Sequence, residues 1–294
     1  MKILIIGKYG QVAKELSKQN FGEKFKLYFK SSDELDLASE KSIQVNINKV
    51  CPDIIINTGA LTDLNENEKN PKKSALINYD SLKVISDIAS SKNIFLIQIS
   101  TDYVFDGLKT SPYKEEDTKM PVNIYGNNKS RAEDYISRNL IKHMIVRTSS
   151  VFSSHGHNFV KTMYFLQEKL SNISVVSDQI SCPTSATSLA SFIKKVCSIY
   201  KQEERIQYGT YHFCNHPEIS WADFADKIFE IDSKISNEVK PNIIKTSFDS
   251  YSSNLKRPKY TVLDTSKTLA TFDIKSQSWE EELELVLRDL RNAS

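Results

Sequence analysis

The first thirteen residues constrain this chain more than any others. Lys2 to Ile6 is a short apolar run, closed by Gly7 and Gly10 and followed by VAKELSKQ at helical period. That pattern reads as strand, tight turn, helix. Gly7-Lys8-Tyr9-Gly10-Gln11-Val12-Ala13 spaces its small residues as G-x-x-G-x-x-A. The first glycine permits the turn off the strand, the second admits a phosphate close to backbone, and Ala13 lets the helix pack tightly. A helix N-terminus placed there attracts a pyrophosphate. The chain has only 8 glycines, which makes the cluster more informative than it would be elsewhere.

Further buried-strand candidates lie at Phe25–Phe29, Asp53–Asn57, Ile94–Ile99 and Met144–Arg147. Helical stretches at Lys72–Ser90 and Ser130–Arg138 separate them. Alternating apolar strands and helices predict an α/β fold with a parallel sheet covered on both faces. Past Val151 the rhythm becomes irregular. Tyr211–Cys214 reads as another strand, Ser220 as the N-cap of a helix over 220–230, Lys240–Arg257 as polar loop, and Trp279–Arg291 as a closing amphipathic helix. The expected division is 1–152, with a strand and helix returning near 209–230, and a smaller interleaved unit from 153–208 and 231–294.

A length of 294 residues accommodates this. Net charge is +2, with 39% hydrophobic and 26% charged residues, so nothing marks a nucleic-acid binder. The four cysteines are far apart and fit a reducing compartment. No apolar stretch approaches the roughly 20 residues of a membrane span, and the N-terminal run is too short for a signal peptide. The expectation is a cytoplasmic protein.

The end of the second strand bears on the ligand. Sites that prefer NAD place an acidic residue about 20 residues beyond the glycines, on the ribose hydroxyls. This chain has Lys30-Ser31-Ser32 there. A lysine and hydroxyls suit a 2′-phosphate, while a solvated loop is the other reading. NADPH is the expectation, with NADH acceptance left open.

The strand at 94–99 runs into Ser100-Thr101-Asp102-Tyr103. Ligands of open parallel sheets bind beyond the carboxyl ends of strands, and a threonine hydroxyl there can polarise a carbonyl. It could equally satisfy a strand-end backbone group. Tyr125 and Lys129 then fall four apart, on one helix face. A free tyrosine titrates near pH 10, and a neighbouring cation draws it towards working pH for general acid catalysis. Among 13 tyrosines such a pair arises easily by chance. The order of glycine turn, Ser-Thr-Asp strand end and Tyr-x-x-x-Lys gives it weight. His155 and His157 have metal-ligand spacing without a carboxylate or cysteine nearby, and read better as a loop.

That order resembles the extended short-chain dehydrogenase/reductases and, within them, the dTDP-4-dehydrorhamnose reductase family. Matching segments are GKYGQVA, CPDIIINTGALT, STDYVFDG, PYKEEDTKMPVNIYGNNK, RTSSVF with GHNFVKTM, SDQISCPTSA, GTYHFCN with SWADFA, and RPKYTVLD. They run from residue 1 to about 270 in the family's order. The resemblance implies a Rossmann fold with a substrate-binding C-terminal part. It also implies hydride transfer to the C4 ketone of a nucleotide-linked 4-keto-6-deoxy sugar, in deoxysugar or surface-polysaccharide synthesis.

By that resemblance Tyr125 donates the proton, Lys129 tunes Tyr125 and holds the nicotinamide ribose, and Thr101 binds the reacting oxygen. Gly7, Gly10, Gln11 and Val12 border the pyrophosphate; Lys30 and Ser31 are placed at the ribose phosphate by the strand-end reading above and not by the resemblance. Asp36 and Leu37 fall at the adenine, and Ala60 and Thr62 along the middle of the cofactor. Thr101, Asp102, Tyr103, Ser150 and Arg257 belong to the substrate end, and Asn78 is a structural support. Magnesium, used by some relatives, has no ligand cluster here, and a homodimer is left open. An epimerase or dehydratase of the same superfamily, and a non-catalytic dinucleotide-binding subunit, are the other readings. The chain departs from the family at Ser150, where tryptophan is usual, at Leu61, where tyrosine is usual, and at Thr58-Gly59, usually two alanines. The first change makes the sugar pocket roomier or wetter.

Overall fold

Buried on both faces, the apolar runs of the sequence become parallel strands in the computed structural model, which describes residues 1–237, 239–250 and 255–293. The first half alternates β1 (Lys2–Ile6), α1 (Gln11–Lys18), β2 (Lys26–Lys30), α2 (Glu40–Val50) and β3 (Ile54–Asn57). It continues with α3 (Leu64–Lys69), α4 (Pro71–Ala75), a π-helical turn (Leu76–Asp80), α5 (Ser81–Ser91) and β4 (Phe95–Thr101). A 3₁₀ turn (Asp102–Val104), α6 (Ile124–Asn139) and β5 (His143–Thr148) complete it. The second half runs β6 (Val151–Phe152), α7 (Phe159–Gln167), β7 (Asn172–Val176), β8 (Ile180–Ser181), β9 (Thr184–Ser185), α8 (Ala186–Glu203) and β10 (Gly209–His212). After these come β11 (Ile219–Ser220), α9 (Trp221–Ser236), β12 (Asn242–Thr246), α10 (Ser266–Phe272) and α11 (Trp279–Ala293).

The central sheet has the order β2-β1-β3-β4-β5-β10, parallel throughout. β1 is followed in sequence by a neighbour on one side and then by β3 on the other. The connections therefore diverge there and leave a crevice beyond the carboxyl ends of β1 and β3. Register brings the strand ends level: Ile6 pairs with Lys30 and Asn57, and Thr101 with Thr148. One face packs Ile3, Ile5 and Ile97 against α1 and α8, the other packs Leu4, Ile55 and Leu96 against α2, α5 and α6. Each fully buried Ile or Leu stabilises by roughly 1.5–3 kcal/mol relative to exposure. A further core joins Phe152, Met163, Phe224, Trp279 and Leu283, from β6, α7, α9 and α11.

Two helices pack against cores other than those their sequence positions suggest. α8, placed by sequence in the smaller unit, presents Leu189, Ile193 and Val196 to the sheet. α9, whose first turns were placed with the sheet, buries Phe224 and Phe229 in the separate core. The helix expected over 72–90 exists as α4, the π turn and α5 in succession. The loop expected over 240–257 holds β12, which pairs in parallel with β7; its residues 251–254 lie outside the described residues. Ser220 caps α9 as expected, its Oγ accepting from Asp223 N at 3.1 Å. Among the described residues no helix is long and apolar enough to cross a membrane.

Candidate active site

The crevice holds two adjoining cavities that share Gly10, Thr58 and Ala60. One, of about 540 Å³, extends from Gln11 and Val12 past Thr101, Tyr125 and Lys129 to Ser150 and Trp221. The other, of about 300 Å³, lies between Gly7, Ser31, Asp36 and Leu37. Together they form a trough across the switch point.

Its floor is built for a phosphate. Gly7 has φ +98°, a left-handed value that favours glycine, and a Cβ there would sit 2.8 Å from Thr58 Oγ1. Gly10 donates to the Gly7 carbonyl at 2.8 Å and stands as N-cap of α1 with no side-chain cap, so the helix's first N–H groups keep their capacity for an anion. Gln11 spends its side chain elsewhere. Its Oε1 accepts from Ser153 and Asn158, and its Nε2 donates to the Val151 carbonyl, stapling the 151–158 segment over the trough. Asn78, buried on the π turn, accepts from Leu61 N and donates to Leu61 O, both at 2.9 Å, fixing the loop that carries Ala60 and Thr62. These residues fit a dinucleotide.

The polar groups at the far end come from β4 and α6. Thr101 Oγ1 accepts from Tyr103 N and donates to Asp102 Oδ1 at 3.0 Å, and Ser149 Oγ donates to Asp102 Oδ2 at 2.9 Å. Burial pushes the Asp102 carboxyl up. Tyr125 and Tyr103 meet edge to face with ring centroids 6.2 Å apart. Burial first, then the charge of Asp102, raise the Tyr125 hydroxyl above its usual range, and the nearby Thr101 hydroxyl works the other way. Lys129 is fully enclosed and burial lowers its ammonium to about 8, opposed by Glu133. Its Nζ donates to the Ile99 carbonyl at 2.7 Å, and no hydrogen bond joins it to Tyr125. Lys129 is thus held by the end of β4, while burial and the charge of Asp102 set the direction for Tyr125.

Glu133 continues the Lys129 face of α6. It accepts from Ser100 Oγ at 2.6 Å and is paired with Arg147 at 2.8 Å, both side chains almost fully buried. Burial opposes ionisation of Glu133, yet the Arg147 charge holds its carboxyl below the usual range. This pair anchors α6 to β5 behind the cavity.

Most residues picked from sequence line the trough. Lys30 and Arg257 do not. Lys30 is paired with Glu34, and Arg257 acts on Tyr103 through its charge while its buried Nε has no partner. Ser150 lines the larger cavity with φ +48°, its hydroxyl 2.9 Å from that of Ser181, so a polar wall stands there. His157, read from sequence as part of a loop, and Trp221, which sequence reasoning passed over, also line the larger cavity. The GHNF and SWADFA segments were the available signal. Among the described residues no group of three or more His, Cys, Asp or Glu side chains could hold a metal ion.

A family model described as the RmlD substrate binding domain matches residues 1–292. The chain belongs to that family. A dTDP-4-dehydrorhamnose reductase of Sinorhizobium fredii is 31% identical over 283 residues, covering 96% of this chain and 95% of its own length. Among solved structures, the dTDP-4-dehydrorhamnose reductase of Bacillus anthracis, in complex with NADP, superposes with a TM-score of 0.90 at 32% identity. That match covers 98% of this chain and 99% of the other. The reductase of Clostridium acetobutylicum gives a TM-score of 0.89 at 32% identity, covering 99% and 100%. RmlD relatives thus share the whole architecture of this chain.

Proposed function

We propose that this chain is an NADPH-dependent oxidoreductase. It reduces the C4 ketone of a nucleotide-linked 4-keto-6-deoxy sugar, dTDP-4-dehydrorhamnose, to give dTDP-L-rhamnose. The observation that carries this is one cavity lined by the α1 N-terminus, Thr101, Tyr125 and Lys129 together. The relative solved with NADP and the names of the other relatives support the same reading. The sheet unit takes the dinucleotide, and the core of α7, α9 and α11 closes over the sugar. Cytoplasmic surface-polysaccharide synthesis is the setting.

A bound nicotinamide supplies hydride. The chain's residues supply the rest. Tyr125, with its hydroxyl held above the usual range, stays protonated at neutral pH and donates to the oxygen as charge develops there. Thr101, between Asp102 and Tyr125, orients that donor. Lys129, still cationic at neutral pH, offers the compensating charge on the same face of α6. Incubation with NADPH and a panel of nucleotide 4-keto-6-deoxy sugars, with product identification, tests the reading. Conversion of dTDP-4-dehydrorhamnose to the L-rhamnose product is expected, and absence of cofactor oxidation with every sugar overturns it.

A further inference from the structure

We propose that Glu34 is the cofactor-discriminating residue of this chain. Its carboxylate competes with a 2′-phosphate for Lys30 and Ser31, and stands in for the strand-end acid as acceptor towards an unphosphorylated ribose. This rests on the nicotinamide-dinucleotide reading above.

The geometry starts at the end of β2. The Lys30 carbonyl accepts from Gly7 N and Lys8 N, each at 3.0 Å, which ties that strand end to the glycine turn. Ser31, 5% exposed, lines the adenine-side cavity with Lys8 and Asp36. The chain then turns back on itself. Glu34 N and Leu35 N both donate to the Ser31 carbonyl, Leu35 is buried, and Asn46 Nδ2 donates to the Glu34 carbonyl at 2.8 Å. That anchored turn returns the Glu34 carboxylate to the strand end. It accepts from Ser31 N at 3.1 Å, from Ser31 Oγ at 3.3 Å and from Lys30 Nζ at 3.2 Å.

Lys30 and both donors of Ser31 are thus committed to an internal anion, while Ser32 and Lys8 line the same cavity without a bond to it. The Ser31 backbone hydrogen bond, then Lys30, hold that carboxyl below the usual range, and the charge of Lys8 acts in the same sense. Glu34 is therefore ionised at neutral pH. A phosphate must displace it or share two cations with it, and two anions near the same lysine repel. Ribose hydroxyls meet no such competitor, since a carboxylate accepts from them. The acid that NAD sites usually place on the strand itself arrives here four residues later.

The experiment measures dissociation constants for NADPH and NADH by nicotinamide fluorescence titration, without sugar, on the full chain and its Glu34→Gln and Lys30→Met variants. Glu34→Gln, at an exposed side chain, is expected to tighten NADPH on the order of tenfold while leaving NADH unchanged or weaker. Lys30→Met is expected to weaken NADPH and spare NADH. An unchanged ratio of the two constants in Glu34→Gln, or a shift towards NADH, overturns the inference while leaving the reductase reading intact. If the unaltered chain binds neither dinucleotide, both fall together.

Discussion

The ammonium of Lys129 is bonded to the main-chain carbonyl of Ile99 at 2.7 Å, inside the wall of the proposed active site. A cation in that place is costly, which is why burial lowers it from 10.5 to about 8. Below pH 8 Lys129 is charged in folded and unfolded chains alike, and the folded state bears the desolvation. Between 8 and 10.5 the unfolded chain holds more protons, so this contribution to stability rises with pH. Lys129→Met is accordingly expected to stabilise the fold at pH 7 by up to about 3 kcal/mol, the energy of a fall from 10.5 to about 8. The Ile99 carbonyl left unpaired offsets about 1 kcal/mol of that. Denaturant unfolding at pH 7 and pH 10 checks this. A gain equal at both values, or a loss at pH 7, contradicts it.

Tyr125→Phe removes the proposed proton donor and nothing else from the cavity wall. Turnover is expected to fall by roughly 10²–10⁴ while NADPH affinity stays within about twofold. Single-turnover rates and fluorescence titration on the same preparation separate the two. Turnover like that of the unaltered chain rules out the assigned chemistry.

Gly126, next to Tyr125, lies against the 3₁₀ turn, and a methyl there would be driven into the Tyr103 carbonyl. The close approach lets α6 bring Tyr125 beside Thr101. Gly126→Ala should cost about 1–3 kcal/mol through forced backbone displacement. It should lower kcat more than it raises the KM for NADPH, because Gly7, Gly10 and the α1 N-terminus belong to an element that the substitution does not touch. Steady-state kinetics with thermal unfolding provide the measurement.

The Glu133–Arg147 pair predicts an asymmetry between single and double variants. Arg147→Met leaves a buried carboxylate with its main partner gone and is expected to cost about 3–5 kcal/mol. Glu133→Gln combined with Arg147→Met should recover much of that loss. Urea unfolding of the unaltered chain, the single variants and the double variant closes the cycle, and simple additivity would contradict it.

What could be read from sequence followed how local each signal was. The turn from β1 into α1 is encoded in thirteen consecutive residues, and Gly7, Gly10 and Ala13 occupy the places their spacing predicts. Tyr125 and Lys129 share a face because a helix makes them do so. The partner of Lys129 was not legible, since the Ile99 carbonyl is thirty residues away and carries no side-chain signature. β12 was read as loop because its pairing with β7 bridges about seventy residues and its alternation is short. α8 begins Ala-Thr-Ser-Leu-Ala-Ser, which hides the apolar stripe that starts at Leu189. Glu34 was missed because a turn, rather than a strand or helix, carries it back to Ser31.

The chain leaves the sheet after β5, builds the second core, returns as α8 and β10, departs again for β11 and α9, and ends in α11 against that core. Several stretches of polypeptide therefore run between the core on the sheet and the core around Phe152, Phe224 and Trp279. Recombination could not exchange one lobe as a contiguous cassette, because neither is a contiguous stretch of gene. New sugar preferences in such a protein must arise by substitution along the walls of the trough, at places such as Ser150, and not by borrowing a ready-made cap.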